Sequence, residues 1–80
     1  HYLDLTEDQR NIYRVEKLTV TELMVLRYLE KGYSNAAIGE TMNIRLSTVK
    51  SHIYNIYKKL GVTTRIQAVQ KARETGILQD

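Results

Sequence analysis

The chain of 80 residues contains no cysteine and no proline, and it has only four glycines. Without cysteine, neither a disulfide nor a thiolate metal site can support the fold, which suits a reducing compartment. The lack of proline and of strand-like alternation favours helices joined by short turns. No apolar run approaches the roughly 20 residues of a membrane span, and no signal-peptide pattern is present. We therefore expect a small all-α domain in the cytoplasm, without membrane contact.

Acidic residues are also missing from most of the second half, since residues 41–73 contain no Asp or Glu. Residues 1–40 hold five basic and seven acidic residues, whereas residues 41–80 hold seven and two, giving net charges of −2 and +5. A block of one sign usually indicates an anionic partner or a solvated tail. A tail is disfavoured, because the same block carries Ile, Val and Leu at helical spacing.

The length predicts one small domain, and the hydrophobic fraction of 42% is ordinary for a globular fold. The sequence begins at His1 rather than at a methionine, so we interpret it as a fragment of a longer protein. We place the domain at residues 18–78. Residues 1–17 are either a linker or a short additional helix, which would begin with a capping box of Thr6 and Gln9.

Four helices are expected within residues 18–78. The first runs from about Val20 to Lys31, after a capping box formed by Thr19 and Glu22, and ends at Gly32. Ser34 caps a short second helix, and Asn43 with Ile44 forms a tight break before the third. The inner face of the second helix is predicted to consist of Ala37, Ile38, Thr41 and Met42.

The third helix, at about 47–60, has two contrasting faces. Its core face comprises Val49, Ile53, Ile56 and Leu60. Its opposite face comprises Ser47, Ser51, Tyr54, Asn55 and Lys58, with Lys50 and Lys59 on the flanks. The fourth helix, about Arg65 to Thr75, follows a capping box of Thr64 and Gln67 and closes with a Schellman-type end at Gly76 and Ile77.

A short helix, a tight turn and a second helix with a basic outer face are what binding in a DNA major groove requires. Lys50 and Lys58 can approach phosphates or base acceptors, and Ser51, Tyr54 and Asn55 can form hydrogen bonds there. Ser47 and Thr48 lie near the helix start, where backbone amides meet phosphate oxygens. The absence of acids fits this hypothesis, since each carboxylate would repel the phosphate chain.

Residues 18–69 resemble the LuxR-type (GerE-like) helix-turn-helix domain of bacterial transcription regulators, in one register without a gap. The matching residues are Leu18, Thr19, Glu22, Val25, Leu26, Gly32, Ser34, Asn35, Ile38, Ile44, Thr48, Val49, Lys50, His52, Asn55, Ile56, Lys59, Leu60, Gly61, Val62, Arg65, Ala68 and Val69. The pattern "TVKxH…NIxxKLGV…R…AV" spans two helices and a turn, so it is specific.

The resemblance implies a compact four-helix domain whose third helix enters the major groove of double-stranded DNA, with Lys50, Ser51 and Tyr54 facing bases. It places Thr48, His52, Asn55, Lys59 and Arg65 near phosphates or as supports of the recognition helix. Asn35 either opens its helix or contacts a phosphate. In the family the fourth helix often pairs with its twofold mate. The candidates for such a homodimer face are Ile66, Val69, Ala72 and Arg73. Val69 and Ala72 are core residues by default, with the dimer face as the alternative. The resemblance also implies an upstream regulatory domain and leaves RNA polymerase as a further partner.

Four positions depart from the family pattern. Thr21 stands where arginine is usual and Met24 where an acid is common, so a charge pair is absent there. Gly39 replaces the usual alanine, which costs about 1 kcal/mol of helix propensity but permits closer packing. Arg45 replaces the usual capping serine, so we expect the third helix to begin later, capped by Ser47, with Arg45 reaching a phosphate.

Other classes of function are less well supported by the sequence. A protein-interaction module would favour an apolar or acidic exposed face, and this one is basic. Binding of single-stranded RNA would need an aromatic platform, which is lacking. The sequence has no nucleophile paired with a base, no paired carboxylates and no phosphate-binding loop. We therefore expect neither an enzyme nor a cofactor. His52 has no further ligands at suitable spacing for a metal.

Overall fold

The computed structural model describes residues 17–78, and within that range the chain forms four helices and no strand. The helices are α1 (Val20–Glu30), α2 (Asn35–Met42), α3 (Leu46–Leu60) and α4 (Arg65–Glu74). The all-α four-helix prediction is therefore confirmed. The linker or helix expected at residues 1–17 lies outside the described residues, except for Lys17. None of the described helices has the length and hydropathy that a membrane crossing requires.

Side chains cap three of the four helix starts, as the sequence predicts. At α1, Glu22 N donates to Thr19 Oγ1 (3.1 Å) and Thr19 N donates to Glu22 Oε1 (2.9 Å), which completes the capping box. Ser34 Oγ accepts from Ala37 N at α2. At α4 the predicted box is only half formed, because Thr64 Oγ1 accepts from Gln67 N while Gln67 Oε1 accepts from Thr63.

The start of α3 corrects one prediction. The helix begins at Leu46, with Arg45 as the N-cap residue and no side-chain cap, so the expected cap by Ser47 is wrong. The cause lies in the preceding turn: Arg45 is extended (φ −70°, ψ 152°), and Val49 N already donates to the carbonyl of Arg45 (3.0 Å). Ser47 is thus inside the first turn, and its carbonyl accepts from Ser51 Oγ (3.1 Å).

The turn between α2 and α3 is made by a left-handed residue, Asn43, at φ 56°. Asn tolerates this conformation better than most residues, as predicted. Ile44 N then donates to the carbonyl of Gly39 (2.9 Å), which reverses the chain within two residues. This closure joins α2 to α3 as closely as a helix-turn-helix requires.

The turn that ends α4 is one residue longer than predicted. Gly76 is left-handed (φ 80°), as expected. However, Leu78 N, rather than Ile77 N, donates to the carbonyl of Ala72 (3.0 Å). This brings Leu78 into the core, where it is 3% exposed.

The hydrophobic core is centred on α3, which packs against the other three helices. Its contributors are Val25, Leu26 and Leu29 of α1, Ile38 of α2, Val49, Ile53, Ile56 and Leu60 of α3, and Ala68 and Ala72 of α4, with Leu78 beyond them. The predicted core face of α3 is therefore confirmed. In α2, Thr41 is exposed and Gly39 is buried, so the predicted inner face of that helix was partly wrong.

Gly39 allows the closest approach in the helix-turn-helix. A Cβ atom at this position would lie 2.9 Å from the carbonyl oxygen of Ile44 and 3.5 Å from Val49 Cγ2. The first distance is shorter than real Cβ contacts, and its partner is backbone, which cannot rotate away. The closer packing expected for Gly39 is thus present, between α2 and the turn into α3.

We expect Gly39→Val to lower the free energy of unfolding by about 2 kcal/mol or more, because its branched side chain must push Ile44 and Val49 apart. Urea unfolding followed by circular dichroism measures this. Thr41→Val is the matched control, since it places the same side chain on the exposed side of α2. Equal losses in the two variants would show that the close approach is not limiting.

Candidate nucleic-acid interface

The outward side of α3 carries a continuous set of exposed polar and basic residues, here called the basic face. It consists of Ser47, Lys50, Ser51, Tyr54, Asn55 and Lys58. All six residues are exposed, and Tyr54 has a relative exposure of 67%. The opposite side of the same helix is the core, so α3 divides into a packed half and an accessible half.

The helix that carries this face contains no carboxylate. Of the acidic residues that the structure describes, Glu22 is buried and ion-paired, and Glu30 is paired with Arg73 on α4 (3.1 Å). Glu40 and Glu74 lie on α2 and α4. The basic face therefore keeps its positive charge, with no acid within α3 to offset it.

A buried ion pair joins α1 to the C-terminal half of α3. Lys59 Nζ lies 2.7 Å from Glu22 Oε1 and also donates to the carbonyl of Lys17 (3.4 Å). Glu22 is 4% exposed and the Lys59 side chain 22% exposed. Lys59 therefore ties the C-terminal half of α3 to α1.

The pKa of Glu22 reflects this setting. Burial raises the pKa of the carboxyl, but the hydrogen bond from Lys59, the backbone N–H of Thr19 and the charge of Lys59 together lower it below its usual range. The charged form of Glu22 is thus the form that the fold favours. Its pair with Lys59 was not predicted from the sequence. The signal was available, because Glu22 shares the inward face of α1 with Leu26 and Leu29, and a buried acid needs a partner.

Arg65 clamps the start of α4 to the turn before α2. Its Nη1 donates to the carbonyl of Tyr33 (2.6 Å), and its Nη2 donates to Asn35 Oδ1 (3.2 Å). These contacts give both Arg65 and Asn35 a supporting role within the fold. The sequence indicated each residue separately as a candidate for the site. Because the two residues are 30 positions apart, no local pattern could predict their hydrogen bond.

The other predicted phosphate-side residues surround the basic face. Arg45 and Thr48 are exposed at the start of α3, and His52 is half-buried on its flank. Among the described residues no group of three or more His, Cys, Asp or Glu is placed to hold a metal ion.

The predicted dimer face on α4 is only partly accessible. Ile66 is 72% exposed, and Val69 is half-buried. Arg73 is exposed, although its Nε and Nη2 both donate to Glu30 Oε2 (3.2 and 3.1 Å). Ala72 is fully buried against the core and offers no surface to a partner, so its inclusion in the dimer face was wrong.

A short helix, a three-residue turn that contains the left-handed Asn43, and a longer helix with one basic face define a helix-turn-helix domain. The family model for "Bacterial regulatory proteins, luxR family" matches residues 16–72 of this chain. The chain therefore belongs to the LuxR family of bacterial regulatory proteins, as the resemblance over residues 18–69 predicted. This makes it a helix-turn-helix domain of the class that binds DNA in transcription regulation.

Individual relatives agree with this assignment. The HTH-type transcriptional regulator MalT of Yersinia pestis (strain Pestoides F) is 42% identical over 62 residues, which cover 78% of this chain and 7% of that protein. MalT of Klebsiella pneumoniae is 41% identical over 63 residues, covering 79% and 7%. The crystal structure of the response regulator ChrA, from a heme-sensing two-component system, superposes with a TM-score of 0.76 at 36% identity, covering 79% of this chain and 31% of ChrA. The chain thus spans about 7% of the length of its MalT relatives.

We expect Glu22→Gln to lower the free energy of unfolding at pH 7 by about 1–3 kcal/mol, because Lys59 loses a charged acceptor in a largely buried site. The pKa of Glu22 is lower in the folded than in the unfolded chain, because its contacts with Lys59 and Thr19 favour the charged form. The stabilisation is therefore complete above the unfolded pKa and disappears as the pH falls through the folded pKa.

Urea unfolding of the parent and of Glu22→Gln at pH values from 7 to 3 tests this expectation. The stability difference should be constant near neutrality and shrink on acidification. Glu40→Gln, which changes an exposed carboxylate on α2, serves as the control. A difference that is the same at pH 3 and pH 7 would contradict the ion-pair interpretation.

Proposed function

We propose that this domain binds double-stranded DNA sequence-specifically in a bacterial cell, with α3 lying in the major groove. The observation that carries this proposal is the basic face of α3, which is exposed along the helix and backed by a packed core. The family assignment to regulatory proteins supports a binding role rather than catalysis.

The dimensions of α3 suit the groove. A helix of 15 residues is about 22 Å long, and the major groove, about 12 Å wide, admits one helix. Lys50, Ser51 and Tyr54 would face base edges, where lysine can bind guanine N7 and O6 and the hydroxyls can donate or accept. Lys58, further along the helix, would reach base acceptors or phosphates.

Phosphate contacts would flank these residues. The first turn of α3 has no side-chain cap, so its N-terminal backbone N–H groups, next to exposed Arg45, Ser47 and Thr48, would be available to phosphate oxygens. His52 and Asn55 would approach the second strand. Glu22–Lys59 and Arg65–Asn35 would support α3 rather than touch DNA.

A homodimer on DNA is part of the proposal. Ile66, with Val69 and Arg73 on the same side of α4, would form the contact between two copies. The domain matches only 7% of the length of MalT, which supports a place within a longer regulator. Its further partners would be an upstream regulatory domain and RNA polymerase. Such a regulator would work in the cytoplasm, at the nucleoid when bound.

Removing two charges from the basic face should weaken DNA binding in a salt-dependent way. For the variant Lys50→Ala with Lys58→Ala, we expect weaker binding to a generic labelled duplex and a slope of log K against log salt reduced by about 1 to 2, because fewer counterions are released. Fluorescence anisotropy at several salt concentrations measures both quantities.

The matched control removes two charges elsewhere. Arg27 on α1 and Lys31 directly after it are exposed and are not part of the basic face, so Arg27→Ala with Lys31→Ala should keep most of the slope. Circular dichroism shows whether each variant is folded. An equal loss of DNA affinity in both double variants would show that net charge, and not the basic face, determines binding. If the folded parent binds no duplex at low salt, a protein-interaction module becomes the better hypothesis.

The dimer proposal has its own test. We expect Ile66→Glu to abolish cooperative binding of two copies to an inverted-repeat site while leaving binding to a single half-site nearly unchanged, since it places a charge in an apolar contact. Thr21→Glu adds the same charge at an exposed position of α1, outside the proposed contact, and serves as the control. Gel-shift titrations count the bound copies. Unchanged cooperativity in Ile66→Glu would place the dimer contact elsewhere.

A further inference from the structure

An open hollow of about 380 Å³ lies beside the C-terminal half of α3. Its lining residues are Tyr54, Tyr57, Lys58, Val62 and Thr63, and most of the lining surface is apolar. We call it the α3–α4 hollow, because its walls come from the end of α3 and from the turn that leads to α4. Its volume falls within the range of small-molecule sites, about 300–1,000 Å³.

The walls of the hollow are held in place by the fold. Val62 N donates to the carbonyl of Tyr57 (2.9 Å), which fixes the turn against α3. Both side chains also pack on the hydrophobic core. Thr63 is held by Gln67 Oε1, which accepts from its backbone N (3.1 Å) and from its hydroxyl (3.2 Å). The hollow is therefore preorganised, so filling it requires little reordering.

The hollow continues the basic face. Tyr54 and Lys58 belong to both, so a ligand lying along the basic face passes directly over it. Lys58 supplies a cation at the margin, while residues 41–73 contain no acid. The site thus offers an apolar ring-sized surface beside a positive charge. An apolar protein side chain would not need the lysine, and a free anion would not need the tyrosine and valine walls.

One repeating chemical unit of DNA has both properties, namely the deoxyribose with its adjoining phosphate. We propose that the α3–α4 hollow receives a deoxyribose of the duplex backbone, while Lys58 binds the phosphate attached to it. The inference rests on the proposed binding of DNA and adds a contact that positions α3 without reading sequence. It assigns Lys58 to the backbone, and it gives the ring of Tyr54 a sugar contact.

Two exposed positions allow the hollow to be changed without entering the core. Tyr54→Ala removes one wall, and Thr63→Tyr fills the space. For both variants we expect about fivefold weaker binding, as for the loss of a few tens of Å² of apolar contact. The loss should be the same at every salt concentration, because no ion pair is removed. Lys58→Ala, by contrast, should reduce the salt slope by about 1, because it removes the cation that binds the phosphate.

The experiment uses anisotropy titrations of the 80-residue chain against two unrelated duplexes, each also prepared with uracil in place of thymine. Equal losses on all four duplexes are expected for a sugar contact. A loss that disappears with uracil would overturn the proposal in favour of a thymine methyl group. Parent-like binding by folded Tyr54→Ala and Thr63→Tyr would also overturn it, and a changed sedimentation coefficient with parent-like binding would assign the hollow to a second copy of the chain.

The outcome for the parent separates this inference from the proposed function. If the parent binds with a steep salt slope and the hollow variants bind equally well, only the hollow inference fails. If the folded parent binds none of the duplexes at low salt, the proposed function fails first.

Discussion

The fold depends on one constraint, which is that α3 must serve as the core of the domain and as its outer surface at the same time. Val49, Ile53, Ile56 and Leu60 turn inward against all three other helices, so every other element is positioned by its contact with α3. The remaining positions of α3 face outward as a consequence of helical geometry. A rigid accessible face follows directly from the packing, because α3 cannot rotate without exposing its apolar side.

The positive charge of the second half is divided between two tasks. Lys59, Arg65 and Arg73 are engaged within the fold, by Glu22, by the Tyr33 carbonyl with Asn35, and by Glu30. Lys50, Lys58 and Arg45 remain exposed on or beside α3. Counting basic residues in the sequence therefore overstates the charge that a ligand meets, because Glu22 and Glu30 hold two of these cations within the fold.

Local features of the sequence predicted most of the fold. The capping box of Thr19 and Glu22, the left-handed Asn43 and the apolar spacing in α3 are each decided by residues within one or two turns, and each was confirmed. The expected cap by Ser47 was wrong. The helix starts one residue before Ser47, at Leu46, because Arg45 is extended and its carbonyl already accepts from Val49 N, and the type of the residue at position 47 does not indicate this.

The supporting contacts of the site were outside the reach of sequence reasoning. Lys59 and Glu22 are separated by 37 positions, and Arg65 and Asn35 by 30, so only the packing of α1, α2 and α4 on α3 brings them together. These contacts and the fixed turn at Val62 hold α3 from several sides. A recognition helix held in this way loses little conformational freedom when it binds, so more of its contact energy is available for affinity. The domain thus combines a preorganised scaffold with an exposed basic face, whose side chains, Lys50 and Lys58 among them, carry no structural contact that a ligand would have to break.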